Sequence, residues 1–273
     1  MQKFSRIAII ILAFSMILQV SSCKKDNSSK EFRVGMECAY APFNWTQSDN
    51  SNGAVPIQGG GYAGGYDVEI AKMIAKSLGK DLVIVKTEWD GLELALSTGV
   101  IDAIIAGMSP TAERKTRIDF SEKYYTSDLV VVVRKDGPYA NAGALTDFEK
   151  ARITAQLNTF HYTVIEQLVG AKKETAMPDF PTMITALDSG AIDGYISEKP
   201  GAVSAMASNA ALTFVNFPIG KGFVASEEDI AVAIGLKKGS TLKDGINSLL
   251  ATISEEQRQR MMDEAIKNQP VSN

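Results

Sequence analysis

The sequence predicts an α/β protein built of two similar halves, on three observations. Short apolar runs that read as buried strands alternate with amphipathic helices, which implies crossover connections and largely parallel sheets. A motif recurs: "ALSTGVIDAIIAG" (95–107) and "ALDSGAIDGYISE" (186–198) agree at Ala, Leu, Gly, Ile, Asp and Ile in the same relative places, 91 residues apart. That offset exceeds a solenoid period of about 20–50 residues and suits two half-molecules. The length, 273 residues, leaves enough chain for two lobes with real cores.

At the N-terminus Lys3 and Arg6 precede an apolar run, Ile7 to Leu18, and then Val20-Ser21-Ser22-Cys23. The run is twelve residues long, where a membrane span needs about 20, so residues 1–22 read as a signal peptide. The small residues before Cys23 resemble the lipobox of bacterial lipoproteins. That resemblance implies cleavage after Ser22, acylation (palmitate among the acyl groups) of Cys23, and a polar tether over residues 23–30.

Beyond the tether, Phe32–Met36, Leu82–Val85, Leu129–Arg134, Ile153–Ala155 and Ile230–Leu236 read as buried strands. Asp67–Leu78, closed by Gly79, reads as an apolar-striped helix. Leu145–Phe148, Tyr162–Leu168, Pro181–Leu187, Leu242–Ala251 and Glu255–Lys267 read as further helices. In each copy of the repeat a helix ends at a glycine, Gly99 or Gly190, and a short strand follows. Those strands run into Gly107 and Ser109 in one copy, and into Ser197 and Glu198 in the other. Open α/β sheets bind ligands at the carboxyl ends of their strands, so both copies aim at a shared crevice.

Just after the first repeat strand, "SPTAERKTRIDFS" (109–121) places two hydroxyls, a proline and an arginine within six positions. It reads as a helix start with Ser109 or Thr111 at the N-cap and Pro110 in the first turn. Free backbone N–H groups beside Arg114 would suit a carboxylate; the alternative is a surface loop with a salt-bridging arginine.

Composition excludes several classes. The formal charge is −4 and becomes −6 without residues 1–22, which argues against nucleic acid. Cys38 is the only thiol besides Cys23, so no internal disulfide, thiolate zinc site or redox pair is expected, and no metal or cofactor. "GGGYAG" (59–64) satisfies G-x-G-x-x-G, but the Asn-, Ser- and Gly-rich stretch before it, with Pro56, offers no strand to feed the turn; a loop or hairpin tip explains it. There is no Walker A sequence and no G-x-S-x-G, and His161 is the only histidine. A Ser-His-Asp hydrolase therefore has no support, and His161 reads as a local packing residue. No carboxylate pair stands in a glycosidase arrangement.

Five stretches together carry a family likeness: "RVGMECAYAPFNW" (33–45), "GGYDVEIAKMIAKSLG" (64–79), "EWDGLELALSTGVIDAIIAGMSPTAERKTRIDFSEKYY" (88–125), "ITAQLNT" (153–159) and "AIDGYISEKPG" (191–201). The chain resembles the family 3 extracellular solute-binding proteins of polar amino acid ABC transporters. The resemblance implies the two-lobed periplasmic-binding-protein fold (type II) with two hinge strands. Lobe 1 would be residues 31–127 and 226–273, and lobe 2 residues 128–225.

By the same likeness Arg114 would hold an α-carboxylate, assisted by Gly107, Ser109 and the helix-start amides, with Thr159 completing the clasp and Met108 and Phe160 beside them. Glu198 sits where the family places an acid for the α-ammonium. Tyr40 and Trp89 match the aromatic positions that cover the ligand side chain, and Trp45 extends that wall. Glu37 stands where members that bind basic amino acids put an acid, and Gln156 would serve an amide. Asn158 departs from the usual Gly of Q-x-G-T, but asparagine tolerates positive φ.

The expectation is thus a lipid-anchored, monomeric, non-enzymatic receptor outside the cytoplasm, periplasmic or at the cell surface. It would deliver arginine or another basic amino acid to a permease. Alternatives are a glutamine or cystine binder, a cyclohexadienyl dehydratase-like enzyme recruiting Glu37 or Glu198, and a sensory module acting through a separate partner.

Overall fold

The computed structural model describes residues 30–270. The signal peptide, Cys23 and nearly all of the tether lie outside the described residues. Two five-stranded sheets carry the architecture. The first runs in the order Asp81–Lys86, Glu31–Met36, Ala103–Ile104, Ala231–Leu236, Asp119–Thr126. The second runs Lys172–Lys173, Arg152–Thr154, Gly194–Glu198, Leu129–Arg134, Leu212–Val215. A small four-stranded sheet, Ala39–Tyr40, Asn44–Gln47, Tyr62–Gly64 and Val55–Pro56, follows the strand Glu31–Met36. Gly59, Gly60 and Gly61 all have positive φ and turn between its antiparallel strands, so the glycine motif is a hairpin tip.

The sheets are mixed rather than largely parallel. In the first, Ala231–Leu236 runs antiparallel to both of its neighbours; in the second, Leu129–Arg134 does so. These are the strands by which the chain passes from one sheet to the other and back, and a returning strand reverses direction. Strands joined within one half run parallel, and only the two strands that link the halves are reversed. Asp119–Thr126, Leu212–Val215 and the helix Lys199–Ser208 were not expected from the sequence. Tyr162–Leu168 is instead a short helix, Phe160–Val164, followed by a 3-10 turn, Ile165–Gln167. Pro110 lies outside the helix Ala112–Arg117, whose N-cap is Thr111.

The helix Tyr66–Ser77 forms because Tyr66, Ile70, Ile74 and their neighbours Ala71 and Ala75 make one buried stripe; Gly79, at φ 63°, follows its last turn. The strand Leu129–Arg134 is buried on both faces. Val130 and Val132 join the larger core, which extends under the first sheet, and Leu129, Val131 and Val133 join a second core with Phe148, Ile153 and Ile196.

The repeated Ile-Asp has a structural reason. Asp102 accepts from the backbone N–H and Nε of Arg33 with Oδ2 and from Nη2 with Oδ1. Asp193 accepts from Arg152 with the same atoms in the same pattern. Each aspartate returns its own N–H to the arginine's carbonyl at 2.8 Å. The same bidentate, charge-assisted lock thus fixes strand entry in both sheets.

Candidate functional site between the two sheets

The strand Ala103–Ile104 leads into Gly107, whose φ of 62° turns the chain beneath the ring of Tyr40. A Cβ at this position would lie 2.8 Å from that ring. The Gly107 N–H donates to the Tyr124 hydroxyl at 3.3 Å, which donates to Asp67 at 2.6 Å, and Asp67 also accepts from Asn44. Burial pushes Asp67 up to about 6, against these hydrogen bonds.

Thr111 Oγ1 accepts from the backbone N–H of Arg114. The helix has only six residues, so the anion-binding capacity here rests on the guanidinium. Arg114 is 6 % exposed. Its Nη1 donates to the Ser109 carbonyl at 3.0 Å, its Nη2 donates to the Asn158 carbonyl at 2.9 Å, and its Cζ lies 5.0 Å from the centre of the Trp89 ring. Burial lowers it to about 10, which leaves it charged at neutral pH.

From the other sheet, Glu198 ends the strand Gly194–Glu198 and is 1 % exposed. Its Oε2 accepts a short hydrogen bond from the Tyr40 hydroxyl, and its Oε1 lies 3.5 Å from His161 Nε2. Burial pushes the Tyr40 hydroxyl well above its ordinary value, so it is a neutral donor. The Tyr40 ring stacks on Phe180 with centroids 4.1 Å apart, and a Cβ at Gly201 would come within 3.2 Å of it. Tyr40 therefore leaves the first sheet's side and seats in a socket made by the second.

Glu37, at the end of Glu31–Met36, accepts from Gln156 Nε2 at 2.9 Å. The same amide nitrogen donates to the Pro178 carbonyl at 3.0 Å. The other carboxylate oxygen of Glu37 is buried without a partner. Burial pushes Glu37 up to about 8, with the Gln156 hydrogen bond opposing and Asp179, Glu88 and Asp67 adding smaller upward shifts.

Within this cluster lies a cavity of about 10 Å³, room for about one water. Of the residues expected from the sequence, Tyr40, Trp89, Gly107, Ser109, Arg114, Gln156, Thr159 and Phe160 line it. Met108 lines a neighbouring cleft of about 790 Å³ that shares Trp89, Arg114, Thr159 and Phe160 with it. Glu37 and Glu198 stand behind the lining, bonded to Gln156 and Tyr40. Trp45 is a correction: it packs over Gly64 in the small sheet, with its indole N–H on Gln47 at 2.8 Å. Its pairing with Gly64 in the small sheet decides which way it faces. Asn158 has φ 55°, as its replacement of a glycine requires. Phe180 and His161 also line the cavity. Phe180 belongs to no sequence motif, and His161, which the sequence alone presents as a packing residue, reaches the lining.

Residues 32–266 match the family model of bacterial extracellular solute-binding proteins, family 3. The chain belongs to that family. Among relatives of this solute-binding protein, an arginine-binding extracellular protein of Bacillus subtilis is 27 % identical over 258 residues, 90 % of this chain and 92 % of the relative. An L-cystine-binding protein of Escherichia coli is 26 % identical, covering 82 % and 77 %. In structure it resembles an amino acid ABC transporter substrate-binding protein from Streptococcus pneumoniae bound to L-arginine, with TM-score 0.76, 28 % identity and coverage of 87 % and 94 %. These neighbours are two-lobed, and so is this chain.

Proposed function

We propose that this solute-binding protein captures a free L-amino acid between its lobes, residues 31–127 with 226–273 and residues 128–225, and delivers it to an ABC permease. Arginine or another basic amino acid is the ligand. The observation that carries the reading is the pairing of a buried cation with a buried acid from different sheets. Arg114 lines the cavity from one side, and Glu198 holds its wall residues Tyr40 and His161 from the other. A zwitterion needs both, so it joins the lobes. Glu37, buried with one unpartnered oxygen, is the acid for a cationic side chain. The arginine-binding relatives support the same choice.

The cavity is smaller than any amino acid, so capture requires the lobes to part or Tyr40 and Phe180 to shift. No chemical step is assigned: Glu37 and Glu198 act as ligand partners, and incubation with arogenate or prephenate should yield no product. Residues 1–22 direct export, and acylated Cys23 anchors a monomer to the membrane. A thermal-shift panel of the twenty amino acids on wild type and Glu37→Gln tests the ligand. Stabilisation by arginine that falls in the variant supports it. A wild type indifferent to arginine and stabilised by glutamine or cystine overturns it. The neutral reading has its own observation: Gln156, not Glu37, lines the cavity.

A further inference from the structure

We infer that Arg117 keeps Glu93 off Arg114, so that the buried guanidinium stays open to the ligand's α-carboxylate. The inference rests on the amino acid reading of the site and adds a positioning residue to it. Arg114 and Arg117 stand three residues apart on the helix Ala112–Arg117, which puts both on one face. Glu93 lies in the first turn of the helix Leu92–Thr98 and lines, with both arginines, the cleft of about 790 Å³ beside the cavity. Its Oε2 accepts from Arg117 Nε at 2.7 Å and its Oε1 from Arg117 Nη2 at 3.0 Å, a bidentate pair. The same Oε1 lies 3.9 Å from Arg114 Nε, an ion pair too long for a hydrogen bond.

The two arginines compete for one carboxylate. Arg114 is buried and Arg117 half exposed, so water screens Arg114 less and its pull on Glu93 at equal distance is the stronger. What holds Glu93 back is the fork of Arg117, which engages both carboxylate oxygens and is itself steadied by Nη1 donating to Glu113 at 2.9 Å. A shift of about 1 Å would bring Glu93 Oε1 within hydrogen-bond distance of Arg114 Nε. Arg114 with a carboxylate of its own would be a neutral pair, and a second carboxylate would meet the repulsion of the first. Burial lowers the Arg114 value most; among its charged neighbours Glu93 raises it and Arg117 lowers it, so both stand close enough to act on its charge. Glu113 is mostly exposed, so freeing it leaves it in water.

Arg117→Met keeps a long side chain and removes the fork, at a half-exposed position where the fold should tolerate it. In titration calorimetry L-arginine should bind Arg117→Met about ten- to a hundredfold more weakly than wild type, the range for hydrogen bonds to a charged group. Glu93→Gln should stay within about threefold of wild type, and Glu93→Gln combined with Arg117→Met should return to that range, because no carboxylate remains to turn on Arg114. If L-arginine does not bind the wild type, the amino acid that most stabilises it in the thermal-shift panel takes its place. A wild type stabilised by none of the twenty overturns the amino acid reading and the inference with it. Where the wild type binds, the inference alone is overturned by unchanged affinity in Arg117→Met or by a double variant as weak as Arg117→Met. A loss of about tenfold or more in Glu93→Gln would also overturn it, by making Glu93 a support of Arg114.

A crystal structure of Arg117→Met with no amino acid added reads the displacement directly. Glu93 should lie within about 3.2 Å of a guanidinium nitrogen of Arg114, hydrogen-bond distance. Glu93 turned to solvent instead would overturn the inference, whatever the affinities.

Discussion

Asn158 ties the second sheet to the first: its amide Nδ2 donates to Asp90 Oδ1 at 2.9 Å while its carbonyl accepts from Arg114 at 2.9 Å. Its φ of 55° suits glycine, so Asn158→Gly removes the side-chain bond and keeps the turn. An exposed bond of this kind contributes little, so affinity should weaken by about two- to fivefold. Small-angle scattering of the ligand-free variant should give a larger radius of gyration than wild type. Equal radii would mean that Asn158 does not hold the lobes together.

Arg114→Ala should abolish measurable binding of amino acids. A buried carboxylate would lose charge-assisted bonds worth about 1.5–3 kcal/mol each. Arg114→Lys should recover only part of the affinity, because an ammonium cannot hold the Ser109 and Asn158 carbonyls and still present a planar fork to the ligand. Titration calorimetry showing wild-type affinity in the alanine variant would return Arg114 to a purely structural role.

Glu37 makes stability depend on pH with a definite sign. Its value is about 4.5 in the unfolded chain and about 8 when folded, so the folded protein retains a proton that the unfolded chain has lost between those values. The stabilisation is complete below about 4.5 and is lost as pH rises through about 8. Asp67, raised from 3.8 to about 6, adds the same slope in the lower part of the window. In Glu37→Gln the fall in melting temperature between about pH 6 and pH 8 should flatten, and the Asp67 part should remain. A cationic ligand favours ionised Glu37, so arginine affinity in wild type should rise over the same interval by up to about tenfold per pH unit. A flat profile would mean that Glu37 does not meet the ligand's cation.

Gly107→Ala tests the seat of Tyr40. The added Cβ would stand 2.8 Å and 3.0 Å from two carbons of the Tyr40 ring on a backbone at φ 62°. Strain and displacement together should cost about 1–3 kcal/mol of stability. Binding should weaken too, because Tyr40 leaves Phe180 and Glu198. A variant with wild-type melting temperature and affinity would show the Tyr40 ring to be free to move.

What the sequence made legible was local. The hydroxyl, proline and arginine of 109–114 announced a capped turn beside a cation, and Thr111 and Arg114 form one. The repeat announced two halves, and the shared Arg–Asp lock explains why its aspartate recurs. What stayed hidden depends on distant partners. Asp119–Thr126 does not alternate: its buried and exposed residues come in pairs, Phe120-Ser121 and Tyr124-Tyr125 inside and Glu122-Lys123 outside, and its pairing with Ala231–Leu236 is broken by register shifts. The helix Lys199–Ser208 opens with Lys-Pro-Gly, which reads as a break. Phe180 and His161 gain their meaning from Tyr40 and Glu198, and periodicity carries no information about such contacts.

The strand order of the first sheet bears on how the chain is made. Ala231–Leu236 lies between Ala103–Ile104 and Asp119–Thr126, and it is synthesised only after every strand of the second sheet. Until it emerges from the ribosome, Ala103–Ile104 and Asp119–Thr126 lack their common partner, and Asp119–Thr126 is cut off from the other three strands. The nascent chain therefore cannot close its larger core until residues 231–236 have been made.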